Sequence, residues 1–313
     1  MIYYILIMTR FLKMKNSPIY DLIIKFSNKI FKILLWNPLE KSQKYKRLYI
    51  NSAPKDTLAL SPINHFSENY IFSTNDRFIG HNLYIKGHFD FEKFELALQI
   101  IGNDFQPELL IDIGANIGTI CIPAIKRNLF KKAIAIEPEP FNFKLLKLNT
   151  ILNNVDHQIE IHNVALSDIE NAELEFGYSY DNYGDHRLRK NKKQDTDREF
   201  IKLKTQTLEK FIDVSKIENT LIWIDTQGFE GFILKGISLI LHSYKPYLVI
   251  EFDPKHLIMT ESFEIFETVI MQSRYTKFYD LDTEIEYELN IENIRSINEN
   301  YLNNKLFTDL LFI

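Results

Sequence analysis

A single cysteine, Cys121, stands among the 313 residues. No internal disulfide can form, and a reducing, cytoplasmic setting is the simplest expectation. No apolar run approaches the ~20 residues of a membrane-spanning helix: Met1 to Met8 is apolar, but Arg10 and Lys13 end it. That stretch has no basic residues before it and no small-residue cleavage site after it, so it does not read as a signal peptide; Met8 or Met14 would serve equally as the first residue. Excess positive charge is also missing. Lys and Arg number 37 against 42 Asp and Glu, a net −5, which argues against tracking nucleic acid by bulk charge. No internal repeat is visible, and the abundance of Ile, Lys, Asn, Phe and Tyr reads as genome-level bias. What is present, 45% hydrophobic residues over this length, suffices for one sizeable core plus an appendage.

The most informative stretch is Leu109 to Gly118, Leu-Leu-Ile-Asp-Ile-Gly-Ala-Asn-Ile-Gly. Apolar residues around one acid, then a glycine turn opening onto Thr119 to Ile125, predict a buried parallel strand, a tight turn and a helix. Such a turn brings backbone N–H groups and a helix N-terminus close to a ligand. A dinucleotide site would need G-x-G-x-x-G. Here Asn116 stands where that approach wants glycine, and Asp112 would set a carboxylate near the phosphates, a charge better suited to an amine. A strand-end Asp followed by G-x-x-x-G resembles the first motif of class I methyltransferases. Another nucleotide-binding sheet, or a purely structural turn, stays open at this point.

Lys132 to Ile136 leads into Glu137, an acid ending a second apolar strand at the spacing of one βαβ unit, where it can accept from both ribose hydroxyls. The motif Glu137-Pro138-x-Pro140-x-Asn142 follows, with Leu145, Leu146, Leu148 and Asn149 beyond. Together with Asp112-x-Gly114-Ala115-Asn116-x-Gly118, Asn163-x-Ala165-Leu166-Ser167-Asp168, Asp225-x-Gln227-Gly228-Phe229-Glu230 and Leu248-x-Ile250-Glu251, it closely resembles the FkbM-type methyltransferases, in the right order from about residue 75 to 313. The resemblance implies an α/β class I methyltransferase fold, Rossmann-like, with a mostly parallel seven-stranded sheet, an antiparallel C-terminal edge and an N-terminal helical appendage. It implies S-adenosyl-L-methionine as cofactor, held by Asp112, Gly114, Ala115, Asn116, Gly118, Glu137, Pro138, Asn142 and Asp168. Asp168 would accept from the adenine amino group; a cap or turn role is its alternative.

Three parts are expected: an amphipathic helix and linker over 1–60, a hairpin and helix over 61–105, and the methyltransferase domain over 106–313. Ile19, Leu22, Ile23, Phe26, Ile30, Ile33 and Leu34 recur at helical spacing with Lys25, Lys29 and Lys32 on another face. This helix, 19–36, could meet a membrane surface, its own domain or a second subunit. Ser52 to Pro62 reads as a linker. Tyr70 to Ser73 and Leu83 to Lys86 read as strands joined at Asn75-Asp76. Asp90 would cap a helix Phe91 to Ile101, with Gly102 as its stop.

Ile159 to Leu166 is the third strand, with His162 packed inside it. Residues 178–198 break every period; their aromatics and charges suit a loop over a polar substrate, or a solvated insertion. Phe200 to Lys204 and a helix from Thr207 return to the sheet. Leu221 to Asp225 and Tyr247 to Glu251 are the fourth and fifth strands, with a helix Phe232 to His242 between them. Phe263 to Ser273 is a further helix, and Lys277 to Leu281 and Phe307 to Ile313 are closing strands.

Methyl transfer from a sulfonium to a hydroxyl requires alignment and a proton acceptor. Asp225, Glu230 and Glu251 are the candidate catalytic acids, with His256 as an alternative base. FkbM relatives place a His near position 253, where this chain has Asp253. Paired acids could also hold a divalent metal, though no spacing demands one. The expected activity is O-methylation of a glycan, sugar or related metabolite. A non-catalytic binding module and a methyltransferase on another acceptor such as nucleic acid are the competing readings; the Asp/Asn-Pro-Pro-aromatic signature of N-methylating enzymes is absent at Asp225-Thr226-Gln227-Gly228.

Overall fold

The computed structural model describes residues 43–61, 68–179, 182–183, 187–189, 199–217 and 219–313. They divide into two units between Pro54 and Lys55. In the first, Gln43–Asn51 is helical, while the amphipathic segment 19–36 lies outside the described residues. No helix among the described residues is long and apolar enough to cross a membrane.

The second unit opens with β1 (Leu58–Leu60) and β2 (Ile71–Ser73), an antiparallel pair. The chain continues through β3 (Leu109–Ile113), β4 (Lys132–Ile136), β5 (Ile159–His162), β6 (Ala165–Leu166), β7 (Glu173–Gly177), β8 (Arg187–Arg189) and β9 (Phe200–Gln206). It ends with β10 (Thr220–Ile224), β11 (Tyr247–Phe252), β12 (Lys277–Asp280), β13 (Ile285–Glu288) and β14 (Thr308–Phe312). The main sheet has the order β13-β12-β14-β11-β10-β3-β4-β5. From β5 to β11 the strands are parallel, and β14 enters antiparallel between β11 and β12. The sequence predicts seven strands; the eighth, β13, escapes notice because its Ile-Glu-Tyr-Glu is mostly exposed and only Tyr287 stacks inward, on Phe278.

Strands β10 and β11 are nearly continuous apolar runs because helices cover both faces of the sheet, and β14 is buried along its whole length. After β3 the chain works outward through β4 and β5, then returns to the other side of β3 as β10. That reversal opens a crevice at the carboxyl ends of β3 and β10, the usual ligand position in such sheets. It is where Asp112 and Asp225 stand.

Several expectations are corrected. Leu83 to Lys86 is not a strand but the end of a helix, Ile79–Lys86. Asp76 is not a hairpin turn residue: its carboxylate accepts from the N–H groups of Phe78, Ile79 and Gly80 and so starts that helix. Strand β2 pairs instead with β1, inside the stretch read as linker. Asp90 precedes the helix Phe91–Ile101 but makes no capping bond, its φ of 55° turning the side chain away. The expected helix Phe232 to His242 is two, Glu230–Gly236 and Ser238–Tyr244, broken at Ile237. The third strand ends at His162; Ala165–Leu166 leaves the main sheet to pair with β9. Strand β9 does not rejoin the main sheet but builds a second one, in the order β6-β9-β7-β8. After Thr207 there are only two short 3-10 turns among the described residues, Leu208–Lys210 and Val214–Lys216.

Candidate active site

Asp112 is buried near the end of β3, and its Oδ2 accepts from the N–H of Cys121 at 3.1 Å, tying the strand to the start of the next helix. Between them the chain turns at Gly114, whose φ is 88°. A Cβ at Gly114 would fall 1.7 Å from the carbonyl oxygen of Asp225. The turns after β3 and β10 thus meet backbone to backbone, and only glycine fits. Asn116 follows at φ 51°, and its N–H donates to Glu137 Oε2 at 2.8 Å while the N–H of Glu139 donates to Oε1 at 2.7 Å. Each Glu137 oxygen keeps a lone pair for a hydroxyl donor.

These residues line a cavity of about 850 Å3 including its open mouth. Asp112, Ala115, Pro138 and Asn142 border it with them. Burial pushes the Asp112 carboxyl up to about 7, against the bond from Cys121, and Glu137 up to about 8. Among the described residues three carboxylates line the cavity, those of Asp112, Glu137 and Asp225, and no Lys, Arg or His does. Such a site suits a cationic ligand and repels a pyrophosphate. Val164, Ala165, Leu166 and Phe176 supply an apolar wall. Asn116 Oδ1 and Asn142 Oδ1 are buried there with no partner among the described residues, while both Nδ2 groups donate to the Tyr183 carbonyl at 2.9 and 3.0 Å. Tyr183, from the aperiodic stretch, therefore closes one side of this cavity.

Two residues expected here are placed elsewhere. Gly118 lies behind the turn, against Ile122 and Leu146. Asp168 is outside the lining, its Oδ2 paired with Lys235 Nζ at 2.7 Å and its Oδ1 accepting from Ser167 Oγ.

A second cavity, about 1640 Å3 with its open mouth, shares Ile79, Phe89, Asp225 and Gln227 with the first. Glu251, His256 and Asp90 line it as well. The Gln227 amide donates to Asp225 Oδ1 at 3.0 Å and to Glu251 Oε1 and Oε2 at 2.9 and 2.8 Å. Burial raises both carboxyls, and the nearby Asp225 and Glu230 charges drive Glu251 well above the usual range. The two acids stand close enough to titrate as a pair, and Glu251 is the one held furthest toward its neutral form.

Glu230 lines neither cavity. Its Oε1 accepts from the N–H groups of Thr226 and Gly228 and from Thr226 Oγ1, and burial pushes it up to about 7. It holds the turn that carries Gln227. His256 Nδ1 lies 3.0 Å from Asp253 Oδ2, on the second cavity alone. Among the described residues no group of three or more His, Cys, Asp or Glu is placed to hold a metal ion.

Sequence reasoning missed Gln227 and Asp90 as site residues. Gln227 stood inside the Asp225-x-Gln227-Gly228 motif, but its partner Glu251 is 24 residues away. Asp90 looked like a helix cap.

The comparison with curated proteins found no match. Among solved structures, similar ones include a methyltransferase FkbM from Methylobacillus flagellatus KT, at 18% identity and TM-score 0.40 over 66% of this chain and 44% of that one. The chain thus spans under half the length of that protein. StiE O-MT residues 961–1257 matches at 11% identity and TM-score 0.39, over 71% of each chain. P. horikoshii TYW2 in complex with MeSAdo matches at 14% identity and TM-score 0.41, over 89% of this chain and 84% of that one. The model of the methyltransferase FkbM domain matches residues 112–285, more than half of the chain, from the buried acid of β3 to the start of β13. With Asp112, Glu137, Asp225 and Glu251 all inside that span, the chain belongs to the FkbM family of S-adenosylmethionine-dependent methyltransferases.

Proposed function

We propose that this methyltransferase acts on oxygen, methylating a hydroxyl of a sugar, glycan or related metabolite. The observation that carries the reading is the position of Asp225, whose carboxylate borders both cavities. The first cavity fits S-adenosylmethionine: Asp112 would meet its ammonium, Glu137 its ribose hydroxyls, and the wall from Val164 to Leu166 its adenine. When bound, the cofactor supplies a methyl group on a sulfonium, transferred in line.

The protein must then align an acceptor oxygen beside Asp225 and take its proton. Glu251 is pushed well above the usual carboxylate range and Asp225 borders both cavities, so Asp225 is the acid that would accept from the hydroxyl. Gln227 fixes both carboxyls, and Glu230 is a positioning residue acting through residues 226–228. His256 borders only the second cavity, one step further from the transfer. Phe78, Phe89 and Phe307 line that cavity and supply aromatic surface of the kind that packs on sugar rings. The test incubates the protein with labelled cofactor and a cell-envelope glycan extract, then locates the methyl group by mass spectrometry and linkage analysis. Label on an amine or a nucleobase overturns the reading.

A further inference from the structure

Charge is unevenly distributed along the second cavity. Its inner acid Glu251 is buried and Asp225 half-buried, whereas Lys255 and Lys305, which also line it, are exposed. Glu251 and Asp225 therefore form the floor, while the lysines belong to the mouth, together with one exposed acid, Asp90. Lys255 lies in the helix Pro254–Met259, and Lys305 caps the end of Ile291–Asn304. These two helices pack against each other, so two distant parts of the chain bring ammonium groups to one opening.

Neither lysine makes an ion pair among the described residues. The neighbouring Lys93, by contrast, is held by Asp309 at 2.9 Å and Asp282 at 3.0 Å. Asp253, adjacent in sequence to the Lys255 helix, faces His256 instead. Two cations without an ion pair among the described residues, against the single exposed acid Asp90, make this mouth locally positive in a chain of net charge −5.

We propose that the mouth is an anion subsite: the acceptor carries, apart from the hydroxyl presented to Asp225, a carboxylate or phosphate held by Lys255 and Lys305. The inference rests on the hydroxyl reading above and narrows its substrate class to acidic or phosphorylated sugars. Opposite charges at the two ends would also fix orientation. The floor repels the anionic end and the mouth attracts it, so a hydroxyl remote from the anion reaches Asp225.

The test gives the full chain labelled cofactor and a cell-envelope and metabolite extract, and separates labelled products by anion exchange. The labelled product should be retained on the resin, and glucuronate should compete with labelling better than glucose. Because both lysines are exposed, K255Q/K305Q should fold and bind S-adenosylhomocysteine as before, yet raise KM for the retained fraction about tenfold. Treating that fraction with phosphatase beforehand should abolish labelling if the anion is a phosphate and spare it if it is a carboxylate. Label confined to the unretained fraction, or an unchanged KM in the double variant, overturns the subsite and leaves the hydroxyl reading standing. Absence of any oxygen-linked label overturns the hydroxyl reading, and the subsite with it.

Discussion

Gln227 grips Glu251 by both carboxylate oxygens, at 2.9 and 2.8 Å, while the same amide nitrogen reaches Asp225 at 3.0 Å. One neutral side chain thus keeps two acids at neighbouring strand ends in register without supplying a charge. Its own backbone, at φ 56°, is held in the left-handed region by the turn that Glu230 secures. Removing the amide should separate the acids. Gln227→Gly, which tolerates the positive φ, is expected to lower kcat at least about tenfold, near 1.4 kcal/mol of barrier, with affinity for S-adenosylhomocysteine kept. Turnover equal to wild type would show that the amide is not needed to organise the acids.

Asp225 can accept a proton only when ionised, and burial holds its pKa above the ordinary aspartate value. The acid limb of kcat against pH should therefore lie above pH ~4, with activity falling as pH drops through the raised pKa. Asp225→Asn and Glu251→Gln should each bind the cofactor yet lose turnover by about 100-fold or more. Equal losses of cofactor affinity and rate would make these acids scaffolding.

The parts of this arrangement differ in how far sequence reveals them. Strands β3, β4, β10 and β11 are legible because burial on both faces demands unbroken apolar runs, each leading to an acid. The second sheet is not: Glu173-Leu174-Glu175 and Arg187-Leu188-Arg189 alternate charge with a single apolar residue, which resembles solvated loop until their pairing is seen. The helix Ile79–Lys86 was hidden because Leu83-Tyr84-Ile85-Lys86 suits a strand as well as a helix, and the deciding signal was the capping carboxylate of Asp76. For the site, strand-end acids announce themselves by position, but an amide such as Gln227 becomes informative only when the fold brings Glu251 beside it. Asp168 marks the reverse case, a motif residue whose carboxylate the fold spends on Lys235.

The contact between the β3 and β10 turns gives a stability prediction. Gly114→Ala would combine a positive φ with a Cβ 1.7 Å from the Asp225 carbonyl oxygen, a cost of roughly 3 kcal/mol or more from strain and overlap together. Thermal melting should fall by about 10 °C. Gly102→Ala is the control: its φ of 92° and ψ of 173° also favour glycine, but no atom lies within 4 Å of the added Cβ, so it should show backbone strain alone, about 2 kcal/mol. Similar losses in both variants would mean that the collision relaxes freely.

Cofactor binding should be tied to protons. Burial raises Asp112 to about 7 and Glu137 to about 8 in the folded protein, while an unfolded chain ionises both near pH 4. Because the folded values are the higher ones, each acid's contribution to stability is fully present below about pH 4 and is lost as pH rises through the folded values near 7 and 8. The ligand-free protein should therefore melt lower at pH 8.5 than at pH 6, in so far as these two acids govern the difference. A ligand that brings an ammonium to Asp112 and hydroxyl donors to Glu137 favours their ionised forms and lowers both pKa values. Binding near pH 7 must then release protons, and calorimetric heats for S-adenosylhomocysteine should differ between phosphate and Tris buffers. Asp112→Asn keeps the side-chain oxygen that meets the Cys121 N–H but removes the charge. It should weaken binding about tenfold, near 1.4 kcal/mol, and reduce the buffer dependence. Buffer-independent heats in the wild type, unchanged affinity in the folded variant, or preferential binding of NAD would each contradict the assignment of this cavity to a cationic nucleoside.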